Sequence, residues 1–324
     1  MMTWPDFKYR QIIVHRTISR GEKLHFLADT IVISDSDGKT LLRHSCHRLF
    51  ALFIIGECSL TSAVIRQAVK FAFPIIMMTA NLKVVAKINC AAEGNTALRK
   101  LQYYSGERNL QIAIALISQK ISNQKALLLA LRHPSADDKQ ALRELSELQI
   151  LPKISSKELL GIEGSASRIF FRSYFRPLGW TRREPRCKHD IYNLLLDIGY
   201  TYLFNFIDAL LSLYGFDTYC GVFHTFFYQR KSLVCDLVEP FRCIIDRRLR
   251  KAYNLGQIDP DDFIFSHGEY MLPWKNTSKY TALFLKDILS EKEVIFKFIQ
   301  VYYRWFMRQD GIEFFPVYNI LEGE

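Results

Sequence analysis

Glu163 sits in the stretch Lys157–Phe171, KELLGIEGSASRIFF, where a carboxylate stands among glycines and small residues that run into aromatics. On a helix turning about 100° per residue it shares a face with Ser167, Phe170 and Tyr174, so its charge points to the apolar side. An ionised carboxylate in a low-dielectric site costs several kcal/mol, so a metal ion, a core arginine or a raised pKa must answer for it.

A second acidic site lies in LVCDLVEPFR, where Asp236 and Glu239 are three apart and face the same way beside an apolar stripe of Leu233, Leu237, Phe241 and Ile244. Side-by-side carboxylates repel, and a cation beside them would turn that liability into a site. The alternative is a solvated acidic face balanced by Arg242, Arg247 and Arg250. Pro240 inside this helical pattern removes one backbone hydrogen bond and should bend the helix. His224 lies twelve residues before Asp236 and fifteen before Glu239, so one connector can bring all three to a common point, although a lone histidine can equally be a structural hydrogen-bonding residue. Cys220 four residues earlier lacks the further soft ligands a zinc site needs. Carboxylates with imidazole suit Mg²⁺ or Mn²⁺ with bound waters better.

Basic residues gather nearby. Between Arg168 and Lys188 stand seven of them (Arg168, Arg172, Arg176, Arg182, Arg183, Arg186, Lys188) against one acid, Glu184. Arg168, Arg172 and Arg176 form an i, i+4 stripe with Phe175 and Trp180 interleaved, suited to a row of phosphates. The helical wheel turns this stripe nearly opposite Glu163, so contact with DNA outside the pocket, with a partner subunit or with solvent alone all remain open. Arg242, Arg247, Arg248, Arg250 and Lys251 form a second cluster; its C-terminal members also complement a helix dipole.

The elements that must position these residues fall into two kinds. The 324 residues are 49% hydrophobic and 14% aromatic, with 43 Lys and Arg against 33 Asp and Glu, a formal charge of +10. That is ample apolar material for a sizeable core and a surface that attracts polyanions. From about Tyr9 to Ile88 the chain reads as short β-branched and aromatic runs (QIIVH, TIVIS, TLLRH, FALFII, FPIIMMT, LKVVAKI) with one helix at Thr61–Phe71. After the small polar stretch CAAEGNT, helical periodicity takes over: Ala97–Leu131, Asp137–Leu148, Ser156–Phe175, Asp190–Tyr214, Leu233–Tyr253 and Thr277–Met307. The expected fold is α+β, with a β-rich domain at 1–92 and a larger all-helical domain at 93–324 carrying the acids. Asp261, Asp262 and Glu269 read as a polar loop. Seven scattered cysteines without a two-residue-gap pair indicate neither a disulfide framework nor a zinc ribbon. The start MMTWPDFKYR does not look like an export signal, and the longest apolar stretches, near Leu49–Ile55 and Phe73–Met78, fall short of a membrane span, which fits a cytoplasmic protein making no membrane contact.

In order along the chain, a glutamate in an EG-plus-small-residue helix, Asn193-Leu194-Leu195, Gly199-Tyr200, Gly221-x-x-His224 and Asp236-Leu-x-Glu239-x-Phe241-Arg242 resemble the CRISPR-associated endonuclease that acts as the adaptation integrase. GECSLTSAVIRQAVKFAFPIIMMTANLKVVAKI is similar to that family's β-domain ending. The resemblance implies that Glu163, His224 and Glu239 bind Mg²⁺ or Mn²⁺, with the neighbouring Asp236 binding the same ion or orienting a ligand. It implies joining of short double-stranded DNA fragments into CRISPR repeat DNA through their 3′-hydroxyls. It implies also a homodimer, formed through the β-rich domain, and a small second CRISPR-associated protein bridging two dimers. A stand-alone nuclease on branched or single-stranded DNA, and a non-catalytic basic DNA-binding scaffold, are the alternatives. Arg168, Arg172, Arg176, Arg182, Arg183, Arg186, Lys188, Arg242, Arg247 and Arg248 are the expected DNA contacts.

Overall fold

The run Leu49–Ile55, seven consecutive apolar residues, is a strand in which every residue is buried. A strand whose sheet is covered on both faces has no wet side, hence the unbroken run. The computed structural model describes residues 2–80, 82–88, 94–106, 108–151, 154–180, 182–224 and 228–321. The boundary expected at 92/93 and Cys90 lie outside these residues. The chain divides into two units, Met1–Arg99 with Asp208–Phe216, and Lys100–Ile207 with Asp217–Glu324.

The first unit opens with α1 (Trp4–Lys8), followed by β1 (Gln11–Arg16), β2 (Lys23–Leu27), β3 (Thr30–Ser34), β4 (Thr40–Ser45), β5 (Leu49–Ile55), β6 (Ser59–Leu60), α2 (Ser62–Phe71), β7 (Ile75–Met78) and β8 (Val84–Ile88). Two four-stranded sheets result, ordered β1-β5-β7-β8 and β4-β3-β2-β6. β5 pairs in parallel with β1 and β7, and α2 is the crossover that a parallel β5–β7 pair requires. One core cluster takes Leu24, Ile31 and Ile33 from the second sheet, Leu52, Ile54 and Ile75 from the first, and Val64, Ala68 and Phe71 from α2. The six expected strand runs are β1, β3, β4, β5, β7 and β8. The short β2 and β6 lie outside the expected runs: KLHFL alternates but holds no β-branched residue, and SL is only two residues long.

The second unit contains α3 (Thr96–Tyr103, its first residues in the other unit), α4 (Arg108–Leu129), α5 (Ala136–Glu147), α6 (Ser156–Tyr174), α7 (Ile191–Tyr214, its last residues in the other unit), α8 (Ser232–Val238), α9 (Arg242–Asn254), β9 (Ile264–Ser266), β10 (Glu269–Met271), α10 (Thr277–Ser290) and α11 (Lys292–Arg308). Three of the expected helices are broken. Ala97–Leu131 divides at Tyr104–Gly106, where Gly106 adopts φ +50. Leu233–Tyr253 divides at a 3-10 turn over Glu239–Phe241 that contains Pro240, which has no N–H to continue the ladder. Thr277–Met307 divides at Glu291, with neither glycine nor proline to mark the place. The polar loop expected around Glu269 is a hairpin, β9 against β10.

Among the described residues, α7 alone is long and apolar enough to cross a membrane by length and composition, a length the runs near Leu49 and Phe73 do not reach. Its apolar window is 83% buried within the protein, as a core helix is. Gly199 lets it approach its neighbours: a Cβ there would lie 2.5 Å from Ile245 Cγ2 on α9 and 2.9 Å from Phe284 Cδ1 on α10.

Candidate active site

α6 begins with a capping box in which Ser155 Oγ accepts from Glu158 N at 3.3 Å and Glu158 Oε2 accepts from Ser155 N at 2.8 Å. This start fixes the phase of the helix and carries Glu163 to its inner face, where Ser167 one turn later donates its hydroxyl to Glu163 Oε1 at 3.0 Å. The 3-10 turn at Pro240 re-aims the chain just where Glu239 leaves α8, and Glu239 ends 7% exposed. Asn123 Nδ2 on α4 secures that turn through Pro240 O at 3.0 Å.

Both carboxylates meet one cation, the ammonium of Lys120 on α4. Lys120 Nζ is hydrogen-bonded to Glu163 Oε1 and lies 2.6 Å from Glu239 Oε2. The second contact is ionic: Glu239 Oε2 is buried yet accepts no aligned hydrogen bond. Arg242 approaches Glu239 Oε1 at 3.5 Å while its guanidinium lies over the Tyr200 ring, 4.1 Å from the centroid. Burial pushes the Glu239 carboxyl up, but Lys120 and Arg242 outweigh it and hold the group below its ordinary value. Burial likewise opposes charge on Lys120, and the two glutamates overcome it. Behind Arg242, Tyr200 Oη donates to Asp246 Oδ1 at 2.5 Å, and burial pushes the Asp246 carboxyl up to about 6.

Asp236 does different work. At 1% exposure, it accepts the backbone N–H groups of Val222 (2.7 Å), Phe223 (3.1 Å) and His224 (3.0 Å), and the His224 ring nitrogen Nδ1 at 2.5 Å. These bonds curl the loop around the carboxylate and turn His224 into the cavity with Nε2 as its remaining nitrogen. The loop passes so close that a Cβ on Gly221 would lie 2.6 Å from Ser232 Cβ and 2.8 Å from Asp236 Oδ2.

Glu163, His224 and Glu239 therefore line one cavity of about 660 Å³, together with Lys120 and Ser167; Asp236 lies behind its wall. As placed, no three acidic, histidine or cysteine side chains among the described residues stand close enough to share an ion. Lys120 occupies the position between the carboxylates. Its role escaped sequence reasoning, because a single lysine in a long helix has no spacing signature.

The expected basic residues separate. Arg168, Arg172, Arg182, Arg183 and Arg242 line the same cavity as Glu163, which corrects the expectation that the Arg168 stripe turns away from it: long guanidinium side chains reach the rim from a helix face that the wheel alone puts far from the acid. Arg176 leaves the stripe to pair with Asp137. Arg183 is held by Asp197 and by Asn193 Oδ1 at 2.8 Å. The backbone N–H of Arg186 donates to Asp197 at 3.0 Å, and the carbonyl of Lys188 accepts from Tyr270 at 2.7 Å. Arg247 and Arg248 are not brought to the cavity. Arg247 bonds Glu291 at 3.0 Å and Ile320 O at 3.3 Å, and Arg248, 8% exposed, bonds Gln257 Oε1 at 2.5 Å.

Residues 17–286 match the family model for CRISPR associated protein Cas1. A CRISPR-associated endonuclease Cas1 from Thermodesulfovibrio yellowstonii is 33% identical over 227 residues, covering 64% of this chain and 70% of that protein. Among solved structures, a casposase bound to integration product aligns with a TM-score of 0.79 at 21% identity, over 96% of this chain and 95% of the other. A Cas6-RT-Cas1–Cas2 complex aligns with a TM-score of 0.81 at 21% identity, over 97% of this chain and 37% of the longer one. At these identities the structural likeness is one of fold.

Proposed function

The chain belongs to the CRISPR associated protein Cas1 family, and from that premise we propose that it joins the 3′-hydroxyl ends of short DNA fragments into a CRISPR repeat array by phosphodiester transesterification. The observation that carries this reading is the convergence of Glu163, His224 and Glu239, from three separate segments, on one cavity rimmed by arginines. A scaffold whose acids merely close salt bridges would not need an imidazole aimed at the same space.

The residues fit a bound Mg²⁺ or Mn²⁺. The carboxylates of Glu163 and Glu239 already converge on one positive charge, and a buried oxygen of Glu239 lacks an aligned donor. With the His224 imidazole they make the hard, oxygen-rich donor set such ions prefer. When bound, the ion would supply Lewis acidity, polarising the target phosphate and stabilising the charge that grows on its oxygens. Asp236 is a positioning residue in this scheme: it fixes the ring orientation of His224 through Nδ1. Arg168, Arg172 and Arg182 are exposed at the rim, Arg172 paired with Glu144 at 3.1 Å and Arg182 with Glu184 at 2.5 Å, and serve the phosphates of the strand. The attacking 3′-oxygen forms its bond to phosphorus as the existing P–O3′ bond breaks; one hydroxyl loses a proton, the other gains one, and the number of phosphodiesters is conserved. No protein nucleophile is required.

The β-rich first unit is proposed to mediate the homodimer, and a small second CRISPR-associated protein to bridge two dimers in the cytoplasm. Partnership with such a protein, though not the bridging itself, is supported by the solved relative whose name includes both Cas1 and Cas2. Incubating the protein with repeat DNA and fragments ending in a 3′-hydroxyl or a blocked 3′ end tests the reaction. Joined product with the free hydroxyl alone is expected. Cleavage that is indifferent to the 3′ end would instead identify a stand-alone nuclease using water.

A further inference from the structure

Lys120 is a buried charged side chain in the cavity that the chemistry above leaves without a role. Its ammonium is buried, 6% of the residue being exposed, and lies between the very carboxylates assigned to the ion. With the partly exposed Arg242 it brings two cations to face Glu163 and Glu239, so these four groups are balanced in charge as they stand. An ion of charge two placed between the same carboxylates would overfill that balance and lie beside an ammonium in a poorly screened site, where like charges repel strongly. The ammonium also takes up carboxylate oxygens that the ion needs. Lys120 itself lines the cavity, so its four-carbon stem has open space into which to carry the charge.

We propose that Lys120 is the resident counter-ion of this site, displaced when a divalent cation binds, so that metal uptake is an exchange of one cation for another. The idea rests on the reading that Glu163 and Glu239 hold the ion. In the metal-free protein the ammonium keeps two buried carboxylates together that would otherwise repel. In the loaded protein it is released toward the phosphate-facing side of the cavity, near Arg168 and Arg172.

The test uses the full chain and Mn²⁺ alone, with free Mn²⁺ counted by electron paramagnetic resonance. Lys120→Met, which keeps the stem and removes the charge, should bind Mn²⁺ about tenfold more tightly than the wild type, a typical size for removing one competing interaction. It should also melt at a lower temperature in chelator and gain more from Mn²⁺. Unchanged or weaker Mn²⁺ binding by Lys120→Met would overturn the exchange. Reductive methylation of the wild type, read by mass spectrometry, decides the matter even if the variant does not fold: the Lys120 amine should be protected in chelator and modified once Mn²⁺ saturates, and a reactivity that Mn²⁺ does not raise overturns the proposal. Glu163→Gln and Glu239→Gln separate the two ideas. If neither weakens Mn²⁺ binding, the metal assignment itself fails; if both do and Lys120→Met binds no more tightly, only the exchange fails.

Discussion

Asp236 and Glu239 stand three residues apart, 1% and 7% exposed, yet their charges are met by unlike partners. Asp236 is held by three backbone N–H groups and an imidazole, donors whose positions the loop itself defines. Glu239 faces the tips of two long cationic side chains, and one of its oxygens accepts no aligned hydrogen bond. A carboxylate saturated by main-chain donors is fixed scaffold, since giving up any one of them strands a buried polar group. A carboxylate compensated only by flexible charges can change partners. The same helical turn thus separates the group that shapes the loop from the group whose charge is met by side chains alone.

The largest effect should come from breaking the acting side. Glu239→Gln is expected to lower strand joining about 1,000-fold or more while leaving the circular dichroism spectrum intact, the size seen when one transition-state stabilising group is lost. Near-normal joining would erase the distinction between the two acids. On the scaffold side, Asp236→Ala should cost about 3 kcal/mol or more in denaturant unfolding, because several buried donors lose their acceptor at once. It should also weaken Mn²⁺ binding by about 10- to 100-fold through misorientation of His224, with Asp236→Asn intermediate in both. Wild-type stability in Asp236→Ala would show that the loop does not depend on this carboxylate.

A third buried acid sharpens the contrast through pH. Burial raises the Asp246 carboxyl from 3.8 to about 6, so the folded protein holds this proton more tightly than the unfolded chain does. Its contribution is therefore greatest below about pH 4 and is lost as pH rises toward 6, by about 3 kcal/mol at about 1.4 kcal/mol per pKa unit. Asp246→Asn should remove that slope from a plot of unfolding free energy against pH; an unaltered slope would assign it to another group. Gly221→Ala pushes a methyl against Ser232 and Asp236, and a cost of about 1–3 kcal/mol is expected from overpacking, visible as a lowered melting temperature. The smallest effect belongs to the rim. Arg168→Ala and Arg172→Ala should each reduce the salt slope of DNA binding by about one, with Mn²⁺ binding unaltered.

How much of this was legible in the sequence varied with the kind of signal. The four-residue step from Glu163 to Ser167 is local, and periodicity recovers local geometry: the two side chains do meet at 3.0 Å. The motif around Gly221 and His224 was readable as a pattern, while its cause, a backbone too close to Ser232 for any side chain, is visible only in three dimensions. Lys120 was invisible because its meaning depends on two carboxylates 43 and 119 residues further along. Arg247 and Arg248 misled for the converse reason. A run of basic letters looks like surface, and nothing local announces that Glu291 and Gln257 will fold over them.

The amides flanking Lys120 on α4 carry a consequence for the timing of biosynthesis. Gln119 gives Nε2 to Pro316 O at 2.9 Å and takes Tyr318 N at 2.9 Å; Asn123 takes Ile320 N at 2.9 Å. Those partners lie 197 and 199 residues downstream. While the chain is still on the ribosome, Gln119 lacks both of these partners and Asn123 has Pro240 O but not Ile320 N, so the pairing of the helix that bears the site's ammonium is completed only after residues 316–320 emerge. A nascent chain arrested before them would carry every residue of the cavity and still lack the strap that holds α4 in place.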